Sequence, residues 1–549
     1  MPRKPNPRLL TTVFLVASAV FSVAVLAVRN LYDDEISSFD LIASPITAIL
    51  RTTADVGIHP PGMYLLTHLA YRILPSFRWM DLFPCLFLYA GLAIFLYQIT
   101  PLFAHTRSQL CLLLLATLHP QLLLWSTTFR WYSWWTGLAL ITLIVALQPR
   151  MPRPALGVAR ALTLALLLAC LFYLNYITLL FIVALGAVML LRYRAHPWKR
   201  LLLPALLALG VFIALIVPQL HTMVSVHLAN SSDQRNGVAG STLRLLQSLA
   251  TSEAYLPWHP LAILAGLLFA CLYVAGLIEL LRLHRQPPSD NATDNGLVSI
   301  LTFGLLFFVL VAVTGLGGKP RNGLLLIPVL APAEALIVST LRPRAQNAIL
   351  FFIAVWSTVG IAHVFGRQGL AKASMNDRPE QVVAFVRQAS GPDCAVVVTY
   401  DTGLTFSLAQ ANLPRTLIVS PVWRPIFGGL QSLPAANCLH TRLFAVQSYL
   451  AATGDWAQSL SDELRVSTYH IEGRPRTDSF NFDADGRRKR RLARIPGLSG
   501  ALASAAALPD YRYVVTSGPI NSADVDVMLK NMPDFLSNEA VPSDTPPMP

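Results

Sequence analysis

Residues 9–40 read LLTTVFLVASAVFSVAVLAVRNLYDDEISSFD. Leu9 to Val28 carry no charge, and Asp33, Asp34 and Glu35 follow at once. Twenty helical residues at ~1.5 Å each cover the ~30 Å hydrocarbon layer of a bilayer. A cleaved leader has a shorter apolar stretch, about 7–15 residues. With Arg3, Lys4 and Arg8 in front of it, this segment reads as an uncleaved anchor with its N-terminus inside.

The composition agrees. The chain has 549 residues, 54% hydrophobic and 13% charged, with mean hydropathy +0.53. A soluble domain carries about 25% charged residues. The reading is an integral, multi-pass membrane protein. The net charge of +13 is then lysine and arginine holding loops on the cytoplasmic side. Basic and aromatic residues do not interleave regularly, so nucleic acid is not an expected partner.

Apolar segments recur at 60–75, 82–99, 108–124, 129–148, 161–174, 176–192, 201–218, 260–283, 297–315, 323–341 and 347–364. Basic clusters at 150–160, 192–200, 282–285 and 342–344 separate some of them. If all four lie inside, an even number of crossings must separate each pair. From residue 161 onward this holds, and it puts Asn175, 219–258 and 316–322 outside. Counting both 60–75 and 82–99 as crossings would put Arg150 and Arg153 outside, so one of the two does not cross fully, or two helices are merged. The expectation is 11 to 13 transmembrane helices.

After about residue 366 the composition changes. RPEQVVAFVRQASGPDCAVVVTYDTGLTFSLAQ (378–410) reads as helix, turn and the buried strand CAVVVTY, and with PRTLIVSP (414–421) and YRYVVTS (511–517) it predicts a small α/β domain outside the membrane. The expected division is 1–365 for the membrane domain with a first outer loop at 29–60, then 366–535, then a Pro-rich, disordered tail at 536–549. The basic run 487–491 is a solvated loop or a contact for anionic headgroups. Cys85, Cys111, Cys170 and Cys271 lie in apolar segments and read as buried thiols. Cys394 and Cys438 either pair or stay free. No spacing suggests zinc, and a divalent cation, magnesium or manganese, stays open.

The first outer loop continues ISSFDLIASPITAILRTTADVG (36–57), with helical apolar spacing interrupted by Pro45. It is too polar to span and suits a helix lying on the membrane surface. Gly57, Pro60 and Pro61 then make a rigid corner that holds Asp55 and His59 near the mouth of the next helix. A carboxylate at mid-membrane costs ~2.5–3.5 kcal/mol. Asp34, Glu35, Asp55 and His59 are thus expected at one interfacial level.

Other outer helix ends add Arg130 and Tyr132 (TTFRWYSWW, 127–135), Asn175 and Tyr176 (YLNYI, 173–177), and Lys319 and Arg321 (GGKPRNG, 317–323). Cations placed outside, against the positive-inside trend, need a reason. Headgroup contact is one and an anionic ligand another. A base facing cations suits one reaction well. A sugar on a lipid phosphate leaves as a stable anion, which arginine binds in bidentate fashion, so no general acid is needed. The acceptor hydroxyl needs one base within reach. A hydrolase acting between two sugars would need a second, protonated carboxyl.

In order, DDEISSFDLI, DVGIHPPGMYLL, FRWYSWWTGLAL, YLNYITLL and KPRNGLLLIPVL resemble the GT-C membrane glycosyltransferases. The nearest branch is the protein-mannosyltransferase-like, aminoarabinose-transferase-like and RgtA-type group, glycosyltransferase families 39 and 83. The resemblance covers about residues 9–340, and the C-terminal domain has none. It implies sugar transfer from a polyprenyl-phosphate donor to a lipid, glycan or protein acceptor, with inversion, at the outer face of a bacterial inner membrane. The C-terminal domain would lie in the periplasm. It makes Asp34 the base, with Glu35 beside it, and puts Arg130 and Tyr132 near the donor phosphate. The family's His-Tyr is Asn175-Tyr176 here, its late Arg-Tyr is Arg321-Asn322, and the Leu or Met after Pro-Pro is Gly62. These departures touch the donor end.

A transporter or flippase is the alternative. It predicts ionisable residues or Gly/Pro breaks near mid-helix along a transport path, whereas these segments carry their polar groups at their ends. A mere anchor for the C-terminal domain would not need so many spans.

Overall fold

The computed structural model describes residues 6–29, 35, 38, 41–56, 59–76, 79–151, 157–193, 198–224, 237–255, 259–285, 292–366, 379–399, 402–411, 413, 415–419, 440–448, 476–480 and 513–520. It forms two compact units. One comprises Met1–Arg29 and Leu41–Ala371; the other comprises Asn30–Asp40 and Lys372–Pro549.

The first unit is helical. Its long elements are α1 (Pro7–Val28), α4 (Leu82–Ile99), α5 (Thr106–Leu118), α6 (Pro120–Ser126), α7 (Trp131–Leu147), α8 (Val158–Leu174), α9 (Thr178–Tyr193), α10 (Trp198–Thr222), α12 (Pro260–Arg285), α13 (Ala292–Val313), α14 (Leu326–Thr340) and α15 (Pro343–Phe365). Shorter are α2 (Ile46–Val56), α3 (Gly62–Ile73) and α11 (Val238–Ala250). Seven helical segments are long and apolar enough to cross a membrane, with α5 and α6 acting as one, and four shorter apolar helices join them. The molecule is a mainly α, polytopic membrane protein.

The structure supplies the missing parity. α3 has 12 residues, about 18 Å at ~1.5 Å per residue, too short to cross. The segment 82–99 lies in a helix long and apolar enough to cross; the segment 60–75 does not. With that count Arg150, Arg160 and Arg192 fall at one end of the bundle, and the contacts agree. Arg150 donates to the carbonyl of Gln98 at 3.0 Å, Arg160 to those of Val145 and Ala146 at 2.7 Å, and Arg192 to those of Gln148 and Met151 at 3.1 and 3.0 Å. These arginines satisfy orphan carbonyls where α4 and α7 end, the place where a helix favours positive charge.

Local chemistry starts the helices. The side chain of Asn6 accepts the amide of Arg8 at 3.0 Å ahead of Pro7. Pro120 opens α6, and the ring of His119 accepts the amide of Gln121 at 3.2 Å. Pro45 ends the polar stretch before α2, whose Ile49 is buried while Ile46 and Leu50 stay exposed. Helices α4 and α7 touch backbone to backbone, and a Cβ on Gly91 would overlap the carbonyl of Gly137.

Hydrophobicity did not reveal which helix faces turn outward. Cys85 and Cys111 are buried, but Cys170 and Cys271 are exposed on the outer faces of α8 and α12. A lipid-facing surface is as apolar as a core, so composition cannot separate the two.

The second unit contains α16 (Pro379–Ser390), α17 (Thr402–Gln410) and strands β1 (Cys394–Thr399), β2 (Thr416–Val419), β3 (Thr441–Ser448), β4 (Arg476–Phe480) and β5 (Tyr513–Ile520). The sheet order is β2-β1-β3-β5-β4, with β1 parallel to both β2 and β3, and β5 antiparallel to both β3 and β4. Val382, Val386, Val397, Leu404, Phe444 and Val515 form its core. Cys394 is disulfide-bonded. Cys438, the basic run 487–491 and the tail 536–549 lie outside the described residues.

Gly91→Ala should lower membrane-domain stability by about 1–3 kcal/mol through overpacking against Gly137. Thermal unfolding in detergent measures this as a lower Tm, while the same change at Gly186, which faces open space, should leave Tm unchanged.

Candidate functional site

The end of the bundle opposite Arg150, Arg160 and Arg192 is built around the turn 126–130, which is wholly buried between α6 and α7. Three segments meet there. Arg29, just past α1, pairs with Asp81, just before α4, at 2.7 Å, and both side chains are buried. The same guanidinium donates to the carbonyl of Thr127. The hydroxyl of Thr67 on α3 donates to the carbonyl of Phe129 at 3.3 Å.

Arg130 follows at the N-cap of α7, where the helix end itself favours anions. It is 5% exposed, and its Nη2 lies 2.9 Å from Nε2 of His59. An arginine can only donate, so the imidazole accepts at Nε2 and carries its proton on Nδ1. The Pro60–Pro61 corner delivers that imidazole. A Cβ on Gly62 would come within 2.5 Å of the Tyr173 carbonyl, so the helix enters closer than a Leu or Met would allow.

Arg321, 8% exposed, reaches the same region from the short 3-10 turn Pro320–Gly323. Its guanidinium lies 5.2 Å from the ring centre of Trp125 and 5.3 Å from that of Tyr132, and the two rings meet edge to face at 5.6 Å. Each such cation–π contact is worth about 0.5–2 kcal/mol. Arg130 and Arg321 are thus linked through Tyr132, two residues along from Arg130.

Trp125 also carries a carboxylate. Its indole N–H donates to Oε2 of Glu253 at 2.7 Å, and the amide of Gln121 donates to the same oxygen at 2.7 Å. The backbone N–H of Glu253 returns a bond to Gln121 Oε1 at 2.7 Å. The preceding residue, Ser252, has φ 62°, the left-handed region, and its hydroxyl donates to Gln121 Oε1 at 3.2 Å. Burial pushes the Glu253 carboxyl above the usual carboxylate range; the donors Gln121 and Trp125, then Arg321 and Arg244, pull it back only in part.

The remaining predicted residues are distributed differently. Asp34 lies outside the described residues. Glu35 is buried and belongs to the second unit. Asp55 is exposed and faces exposed Arg51 at 4.0 Å, a surface pair of little energetic weight. Asn175 ends α8, and its side-chain oxygen accepts the amide of Ile177 at 2.8 Å, so it shapes its own turn. The hydroxyl of Tyr176 accepts from the amide of Gln219 at 2.7 Å. Lys319 is exposed. Among the described residues no group of three or more His, Cys, Asp or Glu could hold a metal ion.

No protein-family profile matches the sequence, and no curated relative matches it. Solved structures do. ArnT from Cupriavidus metallidurans, bound to undecaprenyl phosphate, superposes with a TM-score of 0.51 at 13% identity, over 92% of this chain and 97% of that one. Its apo state gives 0.52 over the same shares, also at 13% identity. The chain has the GT-C fold. The archaeal oligosaccharyltransferase AglB from Archaeoglobus fulgidus scores 0.39 at 12% identity, over 81% of this chain and 70% of that one, and adds nothing to the assignment.

Within this GT-C fold, sequence reasoning reached Arg130, Tyr132, His59 and Arg321 but missed Trp125, Gln121 and Glu253. One signal was available. No Asp or Glu occurs from 82 to 232, so Glu253 is a rare acid beside the membrane. The Arg29–Asp81 pair was missed as well, because nothing local joins residues 52 positions apart.

Replacing only one partner of that pair strands a buried charge, at a cost of about 3–5 kcal/mol. Arg29→Met or Asp81→Leu alone should therefore sharply lower Tm in detergent, and the double variant should recover most of the loss.

Proposed function

We propose that this chain is a glycosyltransferase that moves a sugar from a polyprenyl-phosphate donor to a hydroxyl acceptor at the outer face of the membrane. The observation that carries this reading is the pair of nearly buried guanidiniums at one end of an apolar bundle. Arg130 is held by a neutral imidazole at a helix N-terminus, and Arg321 is seated on two ring faces. Both place a guanidinium, with its fork of N–H donors, where it can meet a phosphate. The GT-C fold supports the same reading, since ArnT with undecaprenyl phosphate shares it.

In the proposed step the acceptor hydroxyl gives its proton to Asp34. Its oxygen attacks the anomeric carbon from the face opposite the phosphate. The bond from that carbon to the phosphate oxygen breaks, its electron pair leaves with polyprenyl phosphate, and the configuration inverts. Arg130 and Arg321 offset the charge that gathers on the departing phosphate. Glu35 flanks the base, Tyr176 and the exposed Lys319 border the donor end, and His59 orients Arg130. The acceptor is a lipid, glycan or protein.

The setting we propose is a bacterial inner membrane with the C-terminal domain in the periplasm. A disulfide at Cys394 suits an oxidising compartment, and the arginines capping helix ends at the opposite face suit the cytoplasmic side.

Purified protein in lipid, given labelled polyprenyl-phosphate sugars, should release sugar in a lipid-dependent way. Asp34→Asn should abolish transfer with Tm unchanged; full activity in that variant would remove the base. Arg130→Ala should lower donor kcat/KM about tenfold to hundredfold, the weight of a charge-assisted contact of about 1.5–3 kcal/mol. Unchanged donor kinetics would rule out its phosphate role. Parallel assays with EDTA and with added magnesium or manganese decide whether a divalent cation takes part.

A further inference from the structure

Glu253 is held more firmly than an outer-loop acid needs to be. Its two side-chain donors, Trp125 Nε1 and Gln121 Nε2, both fall on Oε2. Among the described residues Oε1 has no hydrogen-bond partner. Ser252, buried and in the left-handed region at the end of α11, fixes the approach of the backbone. A non-glycine residue held there costs on the order of 1 kcal/mol or more and persists only where its surroundings dictate it. The surroundings are visible: the Ser252 hydroxyl donates to Gln121 Oε1 at 3.2 Å and accepts the amide of Ala254 at 3.1 Å. One oxygen is fully occupied, the other is presented, and the carboxyl cannot rotate without losing two 2.7 Å bonds.

What it is presented to follows from its neighbours. The indole that anchors Oε2 is the ring on which Arg321 sits. A ligand whose phosphate meets Arg321 brings its next group toward Glu253. A second phosphate would be repelled there. A hydroxyl would be welcome, because a fixed carboxylate oxygen accepts an O–H strongly.

We infer that Glu253 is a specificity-determining residue whose Oε1 receives a hydroxyl of the sugar attached to the phosphate that Arg321 holds. This rests on the donor reading above and deepens it: the carbohydrate is recognised next to its phosphate by a carboxylate fixed to the same tryptophan that seats the arginine. Burial raises the Glu253 carboxyl above the usual carboxylate range, and a hydroxyl donated to Oε1 would favour its charged form.

The test compares two lipids on the full-length protein. Dissociation constants are measured by native mass spectrometry for bare undecaprenyl phosphate and for a panel of undecaprenyl-phosphate hexoses and pentoses. In Glu253→Gln the side-chain carbonyl still accepts from Trp125 and Gln121, so the anchor is kept. The expected result is bare-lipid binding within about twofold of wild type, with the tightest glycosylated lipid weakened at least tenfold. Equal loss for both lipids would make Glu253 a mere support for the Trp125–Arg321 stack and overturn the inference; unchanged binding of both would overturn it too. Wild-type protein that binds neither lipid would overturn the donor reading itself, and this inference with it.

Discussion

A buried ion pair between Arg29 and Asp81 organises the end of the bundle where the site forms. In a chain that is only 13% charged, two opposite charges removed from water stay together because separating them is far worse. Arg29 ends the first helix and Asp81 begins the fourth. The guanidinium also takes the carbonyl of Thr127. Two segments far apart in sequence are thereby tied to the turn that carries Arg130. Without that tie the turn 126–130 would be a strand of polar backbone in an apolar interior, with its carbonyls unmet.

The two ends of the bundle use arginine in opposite ways. At one end Arg150, Arg160 and Arg192 are consumed by helix carbonyls, which satisfies the backbone and absorbs the positive charge. At the other end Arg130 meets a neutral imidazole and Arg321 two aromatic faces. Those partners hold the guanidiniums in place.

Three residues near the site acquire physical reasons in this arrangement. Gly62 has no side chain because the helix it opens presses on the backbone of Tyr173. Asn175 replaces a histidine and uses its oxygen on the next amide of its own turn. Asn322 follows Arg321 in place of an aromatic residue, and its side chain donates to the Leu316 carbonyl at 2.8 Å, closing the short loop that aims the arginine. The ring faces that Arg321 needs come instead from Trp125 and Tyr132.

The sequence by itself determined where the long apolar helices run, that Pro45 would break the first outer loop, and where β1, β2 and β5 of the second unit lie. These are local properties: an apolar run of a given length, a proline, a β-branched stretch. It also named Arg130, Tyr132, His59 and Arg321, since polar residues at the ends of apolar segments stand out. Only the tertiary structure decided that 60–75 stops short of a crossing, that Cys170 and Cys271 face outward, and that Arg321 sits on Trp125 beside Glu253. Those facts depend on contacts between residues tens to hundreds of positions apart. Lipid and protein core are equally apolar, so no periodicity in the chain records which neighbour a helix face will meet.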